Sequence, residues 1–192
     1  MLGTRNVWDV LLINLILGTV WHCGSFFLCV AMPLNHFSPD RWLYRPHRWE
    51  KEGRFYSDVL HINKWKDHLP QHTGKNGFSK SHLDSVSVEY IDRFISETCR
   101  GEWNHTTNCL FTAVLFIINT PIMGLLLSVL LVAGNFPFIF IQRYNRFRLQ
   151  KLRSLIIKKN KRSAPKVAGL ENHTAAAPGN ESAIVQQDSR TE

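Results

Sequence analysis

Two long stretches of this 192-residue chain, Val10 to Pro39 and Trp103 to Gln142, contain no Asp, Glu, Lys or Arg. Each exceeds the roughly 20 residues that an α-helix needs to cross the hydrocarbon core of a bilayer. A soluble fold spaces its apolar residues periodically among charged ones, so this distribution argues against an ordinary soluble domain and predicts an all-α integral membrane protein. The net charge of +8 sharpens the reading because the excess is local. Ten Lys and Arg fall between Gln142 and Lys166 with no acidic residue among them, as in a cytoplasmic flank held against anionic lipid. A nucleic-acid binder would spread such charge over an aromatic-studded surface, and no nucleic-acid partner is expected.

The chain divides at changes of composition. Residues 1–32 hold a first apolar run longer than the roughly 7–15-residue core of a secretory signal, which predicts a retained transmembrane helix. A cleaved signal is the competing reading, since Cys29-Val-Ala31 offers small residues at a plausible place. Residues 33–108 form a polar, interfacial region with Trp42, Trp49 and Trp65, side chains suited to the headgroup level. Within it, Gln71 to Gly77 predicts a turn. A helix follows, with Ser85 or Ser87 as N-cap, Glu89 and Asp92 in its early turns and Arg100 near its end. Val88, Ile91 and Ile95 share one face, and past Gly101 that side carries Glu102 and His105, one turn apart.

Residues 109–141 are a second membrane region, interrupted at Asn119-Thr120-Pro121 and again at Gly134 to Pro137. Either it crosses once as a kinked helix, or it forms a hairpin turning at Asn119 to Pro121. The hairpin returns both flanking polar blocks to one side and keeps the basic loop and tail in the cytoplasm, as the positive-inside tendency prefers. Residues 142–162 read as a basic amphipathic helix with Leu149, Leu152 and Ile156 on one side, suited to lying on anionic lipid. Residues 163–192 are rich in Ala, Pro, Gly, Asn and Ser and read as a disordered tail.

Chemistry concentrates at the mouth of the second membrane region, in Glu97-Thr98-Cys99-Arg100-Gly101-Glu102-Trp103-Asn104-His105. A histidine near its ordinary pKa can take a proton from an alcohol, and a carboxylate one helical turn away can orient it. The plainer reading is a solvated helix end with an i, i+3 ion pair between Glu97 and Arg100. Glu102-x-x-His105 also has the spacing of a helical di-metal site, but no second motif of that form exists, so no metal is expected. There is no Gly-x-Ser-x-Gly elbow, and Cys23, Cys29, Cys99 and Cys109 give neither metal-ligand spacing nor a disulfide framework.

Three blocks carry a resemblance. They are Trp49-Glu50-x-x-Gly53-x-x-Tyr56 leading to Ile62-x-x-Trp65-Lys66-x-x-x-Pro70; Lys80-x-His82-Leu83 with Phe94-Ile-x-Glu97-Thr98-Cys99-Arg100-x-Glu102-x-x-His105; and Asn135-x-Pro137 leading to Gln142-Arg143-Tyr144-Asn145-Arg146-x-Arg148-Leu149. The chain resembles the glycosyl-4,4′-diaponeurosporenoate acyltransferase family of the staphyloxanthin carotenoid pathway. Phe147 stands where that family's form has a proline. The resemblance implies a membrane acyltransferase that esterifies a sugar hydroxyl of a glycosylated carotenoid or other glycolipid with a fatty acyl group. On that reading His105 is the general base with Glu102 as its partner, Glu97 and Arg100 complete the catalytic group, and Arg100, Arg143 and Arg146 meet negative charge. Gln142, Arg143, Tyr144, Asn145, Arg146, Arg148, Trp65, Lys66 and His82 are the expected substrate-binding residues. No cofactor is expected beyond an activated acyl donor, for which the reaction class points to acyl-CoA. The expected partners are membrane lipid and the amphiphilic glycosylated substrate. The alternative is a non-catalytic membrane protein that binds anionic lipid or scaffolds an enzyme.

Overall fold

The computed structural model describes residues 6–69 and 87–163, and every regular element among them is helical. Helices α1 (Val7–Ala31), α2 (Arg54–Asp58), α3 (Ile62–Trp65), α4 (Val88–Cys109), α5 (Phe111–Ile118) and α6 (Pro121–Ser163) are joined by 3₁₀ turns between α1 and α4. Two of them, α1 and α6, are long and apolar enough to cross a membrane. The turn expected at 71–77 and the tail from residue 164 onward lie outside the described residues.

The sequence dictates where each helix begins. The Asn6 side chain accepts the Trp8 N–H to cap α1, and Asp9 sits in the first turn, where the helix dipole favours a negative charge. Ser87 caps α4 by accepting the Tyr90 N–H. Asn119, extended at φ −105° and ψ 170°, stops α5, and Pro121 opens α6, a position where its missing N–H is not needed.

Partner residues rise on one helix as they fall on the other, which fixes the packing as antiparallel. Asn135 and Phe138 meet His105, Arg143 meets Glu102, and Arg153 meets Asp92, so α6 lies back along α5 and α4. The chain therefore reverses at Asn119–Thr120. Gly124 permits that reversal, because a Cβ there would lie 3.1 Å from the Leu115 carbonyl oxygen. On the other flank, α1 runs antiparallel to α4 and α5. Asn14 and Asn119 exchange amide hydrogen bonds of 2.9 and 2.8 Å, Ser25 donates to Asn108 at 2.6 Å, and the Trp21 indole donates to the Thr107 carbonyl.

Two sequence expectations are corrected here. Pro137 does not interrupt α6, which runs unbroken through it for 43 residues, about 65 Å at 1.5 Å per residue. The contacts of Asn135 and Phe138 with His105 hold the helix to α4 on either side of the proline. Leu149, Leu152 and Ile156 do not face lipid but pack on Ile91, Phe94 and Ile95, so the distal end of α6 has a protein partner along its apolar side. Cys99 and Cys109 sit at opposite ends of one helical stretch, about 15 Å apart by helix rise, too far to bridge, and all four thiols are free.

Residues 34–69 fold back over the α4–α6 pair. Phe37 and Tyr44 pack with Cys29 and Cys99, while Tyr56 and Ile62, both fully buried, pack with Ile141 and Tyr144. Lys51, Glu52 and Gly53 follow one another in left-handed backbone, at φ 49°, 58° and 89°. A Cβ at Gly53 would also stand 3.0 Å from the Phe147 Cβ. The strained φ and the overlap act together, so Gly53→Ala should lower stability by about 1–3 kcal/mol. A thermal midpoint in detergent equal to that of the wild type would contradict this packing.

Candidate active site

Where the apolar halves of α4 and α6 give way to their charged halves, four ionised side chains close on one another. Arg143 uses all five of its N–H donors. Its Nε and Nη2 meet the two oxygens of Glu50 at 2.6 and 2.8 Å, and Nη1 meets Glu102 Oε1 at 2.6 Å. The remaining hydrogens go to the Leu43 and Arg45 carbonyls. Arg146 donates to Glu102 Oε2, reaches Cys99 Sγ at 3.5 Å, and lies over the Tyr44 ring. Glu50 also accepts from Tyr56 Oη and from the His47 N–H. All four charged residues are buried, Glu50 completely.

Charge balance explains why the sequence folds this way. Two arginines on one face of a helix, at the edge of an apolar stretch, need two carboxylates, and of the α4 carboxylates only Glu102 meets them. The backbone turn at residues 48–53 brings the second. Burial alone would raise the Glu50 carboxyl, but hydrogen bonds from Arg143, the His47 N–H and Tyr56 outweigh it and hold it below the usual carboxylate range. Burial, more than any neighbouring charge, pushes the Tyr44 hydroxyl up to about 12, and burial raises the Cys99 thiol, so both stay protonated. The four charges cancel among themselves.

His105 stands apart from this group. The spacing predicts a Glu102–His105 pair, but both Glu102 oxygens face arginines. The partner of His105 Nδ1 is instead Asn135 Oδ1, at 3.0 Å. Its ring stacks on Phe138 at 4.7 Å with an interplanar angle of 8°. Burial pushes its pKa below the ordinary histidine value, against the Asn135 hydrogen bond, and His22 of α1 lowers it further. The imidazole is therefore neutral at neutral pH.

The remaining expected residues scatter around these two features. Arg100 pairs with Glu97 at 3.3 Å, donates to the Met32 carbonyl that ends α1, and lies over Phe37. It thus ties α1 to α4. Tyr144 donates to Asn63, Arg148 covers the Tyr144 ring, and Trp65 donates to the Leu60 carbonyl within the same apolar cluster. Gln142 lies flat against Gly101, Asn145 is half-buried, and Lys66 pairs with its neighbour Asp67. His82 lies outside the described residues. Glu50, Tyr56 and Asn135 occur in the quoted blocks yet were given no role there. An unbalanced pair of arginines was the signal for Glu50.

The profile described as glycosyl-4,4′-diaponeurosporenoate acyltransferase matches residues 40–155, a range that includes both carboxylates, both arginines, His105 and Asn135. A glycosyl-4,4′-diaponeurosporenoate acyltransferase of Staphylococcus haemolyticus strain JCSC1435 is 28% identical over 167 residues, 84% of this chain and 96% of the relative. One from Staphylococcus aureus strain MRSA252 is 24% identical over 155 residues, 75% and 93% of the respective chains. No solved structure matches. With the profile covering more than half of its length, the chain belongs to the glycosyl-4,4′-diaponeurosporenoate acyltransferase family and is an acyltransferase.

Proposed function

We propose that the protein transfers a fatty acyl group from an activated donor to a sugar hydroxyl of a glycosylated carotenoid or a related glycolipid. Family membership supports the reaction class, and one observation carries the site: the His105 imidazole is held by Asn135 and stacked on Phe138 where the apolar helices meet the charged body. As general base it takes the hydroxyl proton, the sugar oxygen forms the new ester bond, and the C–S bond of a thioester donor breaks. The proton then passes to the leaving thiolate. The buried charges around Arg143 hold α4 to α6 and so position His105. Production in a host making the glycosylated acceptor, with lipid extraction and mass spectrometry, tests this. A new acylated glycolipid that disappears in His105→Ala is the expected result, and its persistence in the variant would overturn the assignment.

Exposed apolar surface supports a membrane arrangement. Leu12, Leu15, Val20 and Phe27 of α1 and Ile122, Leu126 and Leu130 of α6 all lie on the outside. Such surface is stable against lipid and unfavourable in water. With α1 and α6 crossing and the chain reversing at Asn119–Thr120, both polar blocks stand on one face, the cytoplasmic one by the positive-inside tendency. Both substrates are amphiphiles, and a site at that face spares either tail from entering water. Thiols introduced at positions 75 and 159 should be equally protected from an impermeant reagent in intact cells. Labelling at 75 alone would place the loop outside and refute the arrangement.

A further inference from the structure

The two ring nitrogens of His105 are not equivalent, and α6 determines which of them bears the hydrogen. Asn135 Nδ2 lies 2.9 Å from the carbonyl oxygen of Leu131, one turn back along the helix. A carbonyl oxygen only accepts, so the amide nitrogen must be on that side and the amide oxygen must face His105. The amide oxygen also only accepts, which requires that His105 Nδ1 donate across the 3.0 Å contact. We infer that Asn135 is a positioning residue of the acyl-transfer site, holding His105 in its Nδ1–H form so that the Nε2 lone pair faces the hydroxyl to be acylated.

Three further observations agree. His105 Nε2 makes no hydrogen bond to any described residue, and among the described residues the sealed side-chain polar atoms without a partner are Arg100 Nε, Asn104 Oδ1 and Ser128 Oγ, which leaves Nε2 open to an incoming group. The stack on Phe138 fixes the ring plane, and turning the ring over would remove Nδ1 from Asn135. Glu102, the other candidate to orient the ring, is fully used by Arg143 and Arg146. The orienting group is thus a neutral amide, as in Cys-His-Asn proteases, where a carboxylate would raise the basicity of the ring. The titratable neighbour across the interface is His22 of α1, while Asn135 and Phe138 of α6 carry no charge.

This inference rests on His105 being the base, and the experiment separates the two claims. Full-length protein labelled with [15N]histidine in lipid nanodiscs gives the protonation of each ring nitrogen, with His105 assigned by the signal lost in His105→Gln. The wild type should show protonated Nδ1 and bare Nε2 at neutral pH. Asn135→Leu should shift the population toward Nε2–H and lower kcat about 10²-fold with KM little changed, the scale of a misaligned reacting group. Asn135→Asp should keep Nδ1–H and move the titration midpoint of His105 up by about 1–3 pH units. Protonated Nε2 in the wild type, or an unchanged spectrum in Asn135→Leu, overturns the inference whatever the activity. Wild-type turnover in His105→Ala overturns the base assignment, and with it the positioning role, whatever the spectrum.

Discussion

Arg143→Met should destabilise the protein by about 3–5 kcal/mol, because removing one partner leaves buried charge uncompensated. Glu50, fully buried, would keep only the Tyr56 hydroxyl and the His47 N–H, and Glu102 only Arg146. Thermal unfolding and gel filtration in detergent should show a lowered midpoint and aggregation, partly corrected by adding Glu50→Gln, which removes the stranded charge. A midpoint unchanged by Arg143→Met would mean that the group is solvated. The same ion pairs set a pH dependence. The folded-state pKa of Glu50 lies below its unfolded value of about 4.5, so its contribution is present above pH 4.5 and is lost as the pH falls through the folded value. The Arg143→Met variant, lacking the strongest donors to Glu50, should begin to lose structure at a higher pH than the wild type.

His105→Ala should lower turnover by about 10²–10⁴-fold, the usual loss when a general base is removed, while the protein still inserts and folds. The ring packs on Phe138 and makes one hydrogen bond, so its removal leaves the buried ion pairs intact. The pH profile provides a second check. A base must be neutral to act, and the pKa of His105 lies below the ordinary value of 6.5, so the decline of kcat/KM with falling pH should have its midpoint below 6.5. A decline centred above pH 6.5 would indicate a different group.

Local signals in the sequence located the long apolar helices and α4, while the short helices α2 and α3 and the continuity of α6 carried no such signal. The absence of charge marks α1 and the apolar part of α6, Asn119-Thr120-Pro121 marks a break compatible with either a kink or a reversal, and the Val88, Ile91 and Ile95 spacing marks the face of α4 that packs. The buried ion pairs were less legible. Glu50 and Arg143 lie 93 residues apart and share no periodic pattern, so only a count of charges near the membrane boundary points to the contact. Spacing placed Glu102 and His105 on one helix side correctly, but it could not register that two arginines compete for the same carboxylate. Pro137 misled because a rule for helix interiors in water carries less weight where a neighbouring helix holds the backbone on both sides of the ring. The stripe at Leu149, Leu152 and Ile156 has the same form whether it meets lipid or another helix. Only the matching stripe on α4 decides, and that match depends on the reversal at Asn119.

The amide pair between Asn14 and Asn119 places a constraint on the order of assembly during synthesis. The first helix leaves the ribosome 105 residues ahead of its partner, and its asparagine then has no neighbouring helix to turn to. Asn14 also donates to the Val10 carbonyl within its own helix, so the nascent segment can enter lipid with that amide hydrogen satisfied and wait. On the proposed membrane arrangement, insertion precedes docking, as for helices that enter the bilayer singly and associate later. A gene cut between the first helix and the later ones should yield two fragments that find each other in the membrane.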